Sequence, residues 1–153
     1  MATLVSPDLK TGHIGLNVSD LERSVAFYTR VFGFDVQARG SEPGKDFAFL
    51  GRDGTLMVTL WPQSDGSFSG NVPGLHHLSF QVETVEEVRE AERRLRDLSA
   101  DFLYDGVVPH AEGAASGGIF FTDPDGIRLE LYTPKGEDLA PAPSGSAPTC
   151  GFF

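Results

Sequence analysis

His13 and His77 head two segments of matching pattern, His13-Ile14-Gly15-Leu16-Asn17-Val18 and His77-Leu78-Ser79-Phe80-Gln81-Val82, and Glu130 lies in a third, Ile127-Arg128-Leu129-Glu130-Leu131-Tyr132. Each alternates polar and apolar side chains, the period of a strand with one buried face. The apolar sets Ile14/Leu16/Val18, Leu78/Phe80/Val82 and Ile127/Leu129/Leu131 are the ones to pack inward, which leaves His13, His77 and Glu130 on the opposite face. Two imidazoles and a carboxylate on one face match a 2-His-1-carboxylate metal set, with coordination positions left open for substrate. A single strand histidine is more often a hydrogen-bonded or exposed residue than a ligand. Three residues at matched positions strengthen the metal reading. His76 has the opposite parity and reads as structural, although a one-residue slip in register would exchange its place with His77.

Those positions need elements to hold them, and the chain supplies the same set twice. Ser19-Asp20-Leu21-Glu22 and Thr84-Val85-Glu86-Glu87 both have the spacing of a capping box at a helix start. Leu21, Val25, Tyr28 and Phe32 then recur at helical spacing up to Gly33, and Val85, Val88, Leu95 and Leu98 do so in the second half. Strands are expected at 34–39, 46–51 and 55–61, and again at 102–108, 117–122 and 126–133. The pattern predicts an α+β fold of two tandem βαβββ modules, 10–62 and 73–134, punctuated by Gly70-Asn71-Val72-Pro73-Gly74. From Pro134 onward the composition is that of a linker, so 135–153 reads as a flexible tail. It ends on Cys150-Gly151-Phe152-Phe153, an apolar cluster suited to docking on the body or on a partner subunit.

Bulk composition narrows the class of function. At 153 residues and 40% hydrophobic content, with twelve Phe, there is material for one compact domain or two interdependent modules. A net charge of -10 with only twelve Lys and Arg excludes a broad nucleic-acid footprint and favours a small-molecule substrate. No apolar run reaches membrane-span length and the N-terminus lacks a secretory pattern, so no membrane partner and cytoplasmic residence are the expectations. The single cysteine excludes an internal disulfide framework and a Cys-rich zinc site, and it has no basic neighbour to activate its thiol.

The stretches HIGLNVSDLERSVAFYTRVFGFDV, HHLSFQV and FFTDPDGIRLELY resemble the vicinal oxygen chelate superfamily, over roughly residues 10–134. That superfamily includes glyoxalase I, extradiol dioxygenases, fosfomycin-resistance thiol transferases and bleomycin-binding proteins. The resemblance implies a U-shaped mixed β-sheet cup with helices outside, and His13, His77 and Glu130 as ligands of one divalent metal. Fe(II) or Mn(II) is favoured, with Ni(II) or Zn(II) possible. It also implies a homodimer, with the cup formed either within one chain or across two.

Departures from the family patterns narrow the reaction. Aligning Leu56–Trp61 with Ile127–Tyr132 puts Thr59 where glyoxalase I carries a fourth, carboxylate ligand, which weakens that assignment. The extradiol pattern has a histidine upstream of the ligand glutamate. Here His110 is a candidate acid/base or substrate contact, with an exposed loop histidine as the alternative. Phe120 stands in place of a tyrosine of that group. Arg128 is the one basic side chain directed by parity toward the cup, little for a phosphonate site. Met57, Trp61 and Tyr132, with Thr59 and Phe120, would line it for an aromatic or hydrophobic substrate, unless they are ordinary core. The reading is a metal-dependent enzyme with extradiol dioxygenase-like chemistry favoured. The alternatives are a fosfomycin-type transferase, a metal-free bleomycin-like drug binder, and a glyoxalase-like lyase or isomerase.

Overall fold

The computed structural model of the chain describes residues 7–136 and 141–153. Its first half runs β1 (Ile14–Asn17), α1 (Leu21–Phe32), β2 (Asp35–Gly40), β3 (Phe47–Arg52) and β4 (Thr55–Trp61). The second half runs β5 (Leu78–Gln81), α2 (Val85–Asp97), β6 (Val108–Pro109), β7 (Gly117–Thr122) and β8 (Arg128–Thr133). Each half forms its own four-stranded sheet, in the orders β1-β4-β3-β2 and β5-β8-β7-β6. The first strand of each half pairs in parallel with the last; the helix carries the chain from that first strand to the far edge of the sheet, and the antiparallel strands that follow bring it back alongside. The remaining pairs are antiparallel. Asp53 and Gly54, both at positive φ (52° and 76°), make the tight turn between β3 and β4 that suits the twist of a hairpin. The α+β fold of two βαβββ modules is thus present, as two sheets that do not close on each other within the chain.

Register confirms the internal repeat residue by residue. Gly15 lies opposite Thr59 and Thr59 opposite Phe49; in the second sheet Ser79 lies opposite Glu130 and Glu130 opposite Phe120. Thr59 is therefore the structural counterpart of Glu130, and His13 and His77 each immediately precede the first strand of their half.

The second helix begins as its sequence requires: Thr84 accepts from the Glu87 amide while the Glu87 carboxylate accepts from the Thr84 amide, a complete capping box. In the first helix the cap is Asp20, not Ser19, with Asp20 accepting from the Arg23 amide at 3.0 Å. Ser19 is drawn away by a stronger acceptor, its hydroxyl donating to Asp125 in the other module. Gly33 ends α1 in the left-handed conformation at φ 69°. The strand expected at 102–108 is reduced to Val108–Pro109 and an isolated bridge from Phe102 to Phe121, because the chain between turns at Gly106 (φ 69°).

One hydrophobic core serves both halves. Leu16, Val18, Leu50, Val58 and Leu60 from the first sheet share it with Leu78, Phe121, Leu129 and Leu131 from the second. Two α1 side chains bridge the modules: Phe32 lies 4.7 Å from the Phe80 ring centroid and Phe27 lies 6.4 Å from that of Phe121. The turn Asp123-Pro124-Asp125-Gly126 clamps the joint. Asp123 accepts from the amides of Asp125 and Ile127, both at 2.9 Å, and from the buried Tyr28 hydroxyl, while Asp125 accepts from the Ser19 amide and pairs with Arg23 at 3.1 Å. The modules thus join through the apolar sides of their sheets, and their polar faces are left to look elsewhere.

The segment 141–153, read from composition as part of a flexible tail, is docked; residues 137–140 lie outside the described residues. A 3-10 turn at Thr149–Gly151 sits against β6, with Thr149 fully buried, its amide donating to the His110 carbonyl at 2.7 Å and its hydroxyl to that of Pro109 at 2.6 Å. Composition misread it because backbone carbonyls exposed by the short β6 supply partners that a sequence does not display.

Candidate metal centre

Glu130 occupies the middle of β8 on the face away from the core, yet it is only 3% exposed. A buried carboxylate needs cationic or hydrogen-bonding partners, since desolvation of the bare anion is costly. His110 provides the hydrogen bond, its Nε2 2.5 Å from Oε1, and the His77 imidazole adjoins the other oxygen, with Nε2 3.5 Å from Oε2. His110 is held from its other side, with Nδ1 2.8 Å from the Ser116 hydroxyl. With its proton on Nε2 it donates to Glu130 and accepts from Ser116, which orients the carboxylate. His77 shares a 2.8 Å contact between its Nδ1 and that of His76, leaving Nε2 directed at Glu130. His76 itself is exposed rather than part of the core.

The third donor is one that sequence reasoning set aside. The Cys150 Sγ lies beside the other two, such that one donor atom from each of His77, Glu130 and Cys150 falls within 4.8 Å of the others. Next to it the Phe153 ring packs 6.1 Å from His77, 5.8 Å from Phe120 and 6.1 Å from Tyr104 between centroids, and the Arg128 guanidinium lies 5.3 Å from its centre. Burial, opposed by the nearby Glu130 charge, lowers the His77 pKa and so favours the neutral form that ligates metals. Burial and Glu130 together raise that of the Cys150 thiol.

The remaining candidates divide between the two modules. His110, Arg128, Phe120 and Tyr132 gather around Glu130: Phe120 is fully buried, and the Tyr132 ring sits 4.9 Å from His110 with its hydroxyl donating to Gln81 at 2.8 Å. Thr59 is also buried but accepts from the Trp61 indole at 2.9 Å on the first sheet. There Phe47, Phe49 and Trp61 form an aromatic cluster, half-buried, with Met57 half-buried on the same strand. His13 is exposed and is not among the residues that converge on Glu130.

The donor chemistry at Glu130 fits a divalent cation. A buried carboxylate, an imidazole and a thiol converge on one point, while the carboxylate's far oxygen is oriented by a histidine held by a serine, the outer support that metal ligands commonly have. Cys150 and Phe153 were missed because their place depends on a chain reversal. The one signal was an apolar cluster following a linker composition.

Comparison with known proteins places these positions in context. The model of the Glyoxalase/Bleomycin resistance protein/Dioxygenase superfamily matches residues 10–131. A trivalent organoarsenical cleaving enzyme from Bacillus sp. (strain MD1) is 34% identical over 131 residues, covering 83% of this chain and 74% of that protein. Catechol-2,3-dioxygenase of Bacillus subtilis (strain 168) is 28% identical over 140 residues, covering 87% of this chain but 44% of its own length. Among solved structures, a glyoxylase/bleomycin resistance protein/dioxygenase domain from Frankia sp. EAN1pec superposes with a TM-score of 0.70 at 27% identity, covering 85% of this chain and 93% of that one.

Proposed function

The chain belongs to the Glyoxalase/Bleomycin resistance protein/Dioxygenase superfamily, and from that premise we propose that it is a metal-dependent enzyme whose centre is built on His77 and Glu130, acting on a small aromatic or hydrophobic substrate by dioxygenase-like chemistry. The observation that carries this reading is the near-complete burial of Glu130 between two imidazoles on the sheet face turned away from the core. His13 completes the ligand set from a second copy of the chain, because its own module joins the other through the core side and leaves it apart from Glu130.

Bound there, Fe(II) or Mn(II) would supply a Lewis acid for adjacent substrate oxygens and, in the case of iron, redox chemistry with dioxygen. Glu130 contributes a fixed negative charge that balances the cation. His110 keeps the carboxylate in position through its Nε2 proton, and Ser116 keeps His110 in the matching orientation. Phe120 and Tyr132 exclude water and offer ring faces to a planar substrate, while Arg128 offers a cation to an acidic group on it. The likeness to a catechol dioxygenase and to an organoarsenical-cleaving enzyme supports a small organic substrate.

Elemental analysis of protein purified without added metal is the direct test. One metal per chain is expected, lost in both His77→Ala and Glu130→Ala. A metal-free wild type that also resists loading with Fe(II), Mn(II), Ni(II) and Zn(II) would sink the reading. Oxygen uptake over a catechol panel in the Fe(II) form then tests the reaction class, and its absence removes ring cleavage.

A further inference from the structure

We propose that Cys150 is a metal ligand and that the segment Thr149–Phe153 is a ligand-bearing cover of the Glu130 centre. The proposal rests on the reading of His77 and Glu130 as metal ligands and adds a third, sulfur donor from the same chain. One donor atom from each of Cys150, His77 and Glu130 lies within 4.8 Å of the other two. A tetrahedral ion sits ~2.0–2.3 Å from nitrogen, oxygen and sulfur donors. Closing the set around it asks for a small inward movement of the half-buried Cys150 and His77 side chains.

The thiol is delivered by anchoring on both sides. Before it, Thr149 is buried and bonded through amide and hydroxyl to the His110 and Pro109 carbonyls. After it, Tyr104 donates to the carbonyls of Thr149 and Phe152 at 3.0 and 2.6 Å, and Phe153 is seated among His77, Phe120 and Arg128. His77, His110 and Phe120 make contacts with both Glu130 and this segment, so the cover and the centre share those supports. A thiolate with a carboxylate neutralises a dication within one chain, and the sulfur shifts preference from hard ions toward Zn(II) or Co(II). The imidazole, carboxylate and thiolate leave a fourth position open. Phe153 meanwhile occupies space beside Phe120 and Arg128 that a substrate would use. Binding through Cys150 is therefore a closed form of the site, distinct from the form completed by His13 of a second copy.

Cobalt(II) titration of the full chain under reducing conditions tests the ligand by its colour. The wild type is expected to bind one Co(II) per chain with a near-ultraviolet thiolate-to-cobalt charge-transfer band. Cys150→Ser and Cys150→Ala are expected to keep Co(II) bound, with visible ligand-field bands, and to lose the charge-transfer band. Wild type that binds Co(II) stoichiometrically without that band overturns Cys150 as a ligand while leaving His77 and Glu130 in place. A band that persists in both His77→Ala and Glu130→Ala overturns the proposal by placing the thiolate–cobalt contact elsewhere. Wild type that binds no Co(II), with no other divalent metal taken up, overturns this proposal together with the reading on which it rests.

Discussion

Glu130 illustrates how a side chain that is costly to bury can be held in place where the proposed metal centre needs it. Its carboxylate is buried with His110 and His77 as partners, and the supporting histidine offers a graded test. Removing an outer support commonly weakens metal affinity by ~10–100-fold; His110→Ala is expected to do the same without abolishing binding, as read by competition with a chelator. Asp123, in the turn between β7 and β8, gives a second, independent residue-scale prediction. Burial raises its pKa above the usual carboxylate value, against the pull of hydrogen bonds from Ile127, Tyr28 and Asp125. The folded state therefore holds the proton more tightly than the unfolded one. Its contribution to stability is fully present below the unfolded-state pKa and is lost as pH rises through the raised folded-state value. Asp123→Asn cannot titrate and can still bond Tyr28 and the two amides. Relative to this variant, wild type should gain stability on acidification through that window and show a constant difference above it, measured by urea denaturation across pH.

At the scale of elements, glycine positions separate local stability from site geometry. Gly33 closes α1 at φ 69° with open space around it, so Gly33→Ala is expected to cost about 1 kcal/mol through backbone strain alone and to leave metal binding unchanged. Gly118 in β7 is different. A Cβ there would come 2.2 Å from the Leu131 carbonyl oxygen and 2.7 Å from the Tyr132 Cα, in the strand that carries Glu130. Gly118→Ala must push β8 aside. It is expected to cost roughly 1–3 kcal/mol, as overpacking does, and also to lower metal affinity. Unaltered metal affinity in Gly118→Ala, or a lowered one in Gly33→Ala, would contradict this account of β8.

The whole molecule raises the question of what faces its first sheet. Phe47, Phe49 and Trp61 are half-buried there, and His13 stands exposed at the head of β1. If a second copy completes the centre, each dimer has two centres, each taking His13 from one chain and Glu130 from the other. Mixing His13→Ala with Glu130→Ala subunits, both carrying Cys150→Ala so that the closed form cannot hold metal and each is deficient alone, is then expected to restore about a quarter of the centres, because half of a random mixture is heterodimer and each heterodimer has one intact centre. Elemental analysis after subunit exchange reads this directly. No restoration in a mixture shown to exchange would mean that His13 acts within its own chain or not at all.

The alternation in three segments, the two helical stripes and the capping residues Thr84 and Glu87 were enough to determine two βαβββ modules and to set Glu130 opposite the core face. These are local periodicities, and backbone geometry converts them into faces without outside help. Even the pairing of Thr59 with Glu130 followed from repeat alignment, because equal strand orders impose equal registers. Other features were decided only by tertiary structure. Ser19 lost its cap role to an acceptor on a distant turn, and that turn became a clamp between modules. His13 was separated from Glu130 because the modules share a core on their apolar sides. Cys150 was carried to Glu130 by bonds from Thr149 to carbonyls that the shortened β6 left free. Periodicity records which face a side chain takes, but which faces meet depends on long-range packing and on unpaired backbone groups.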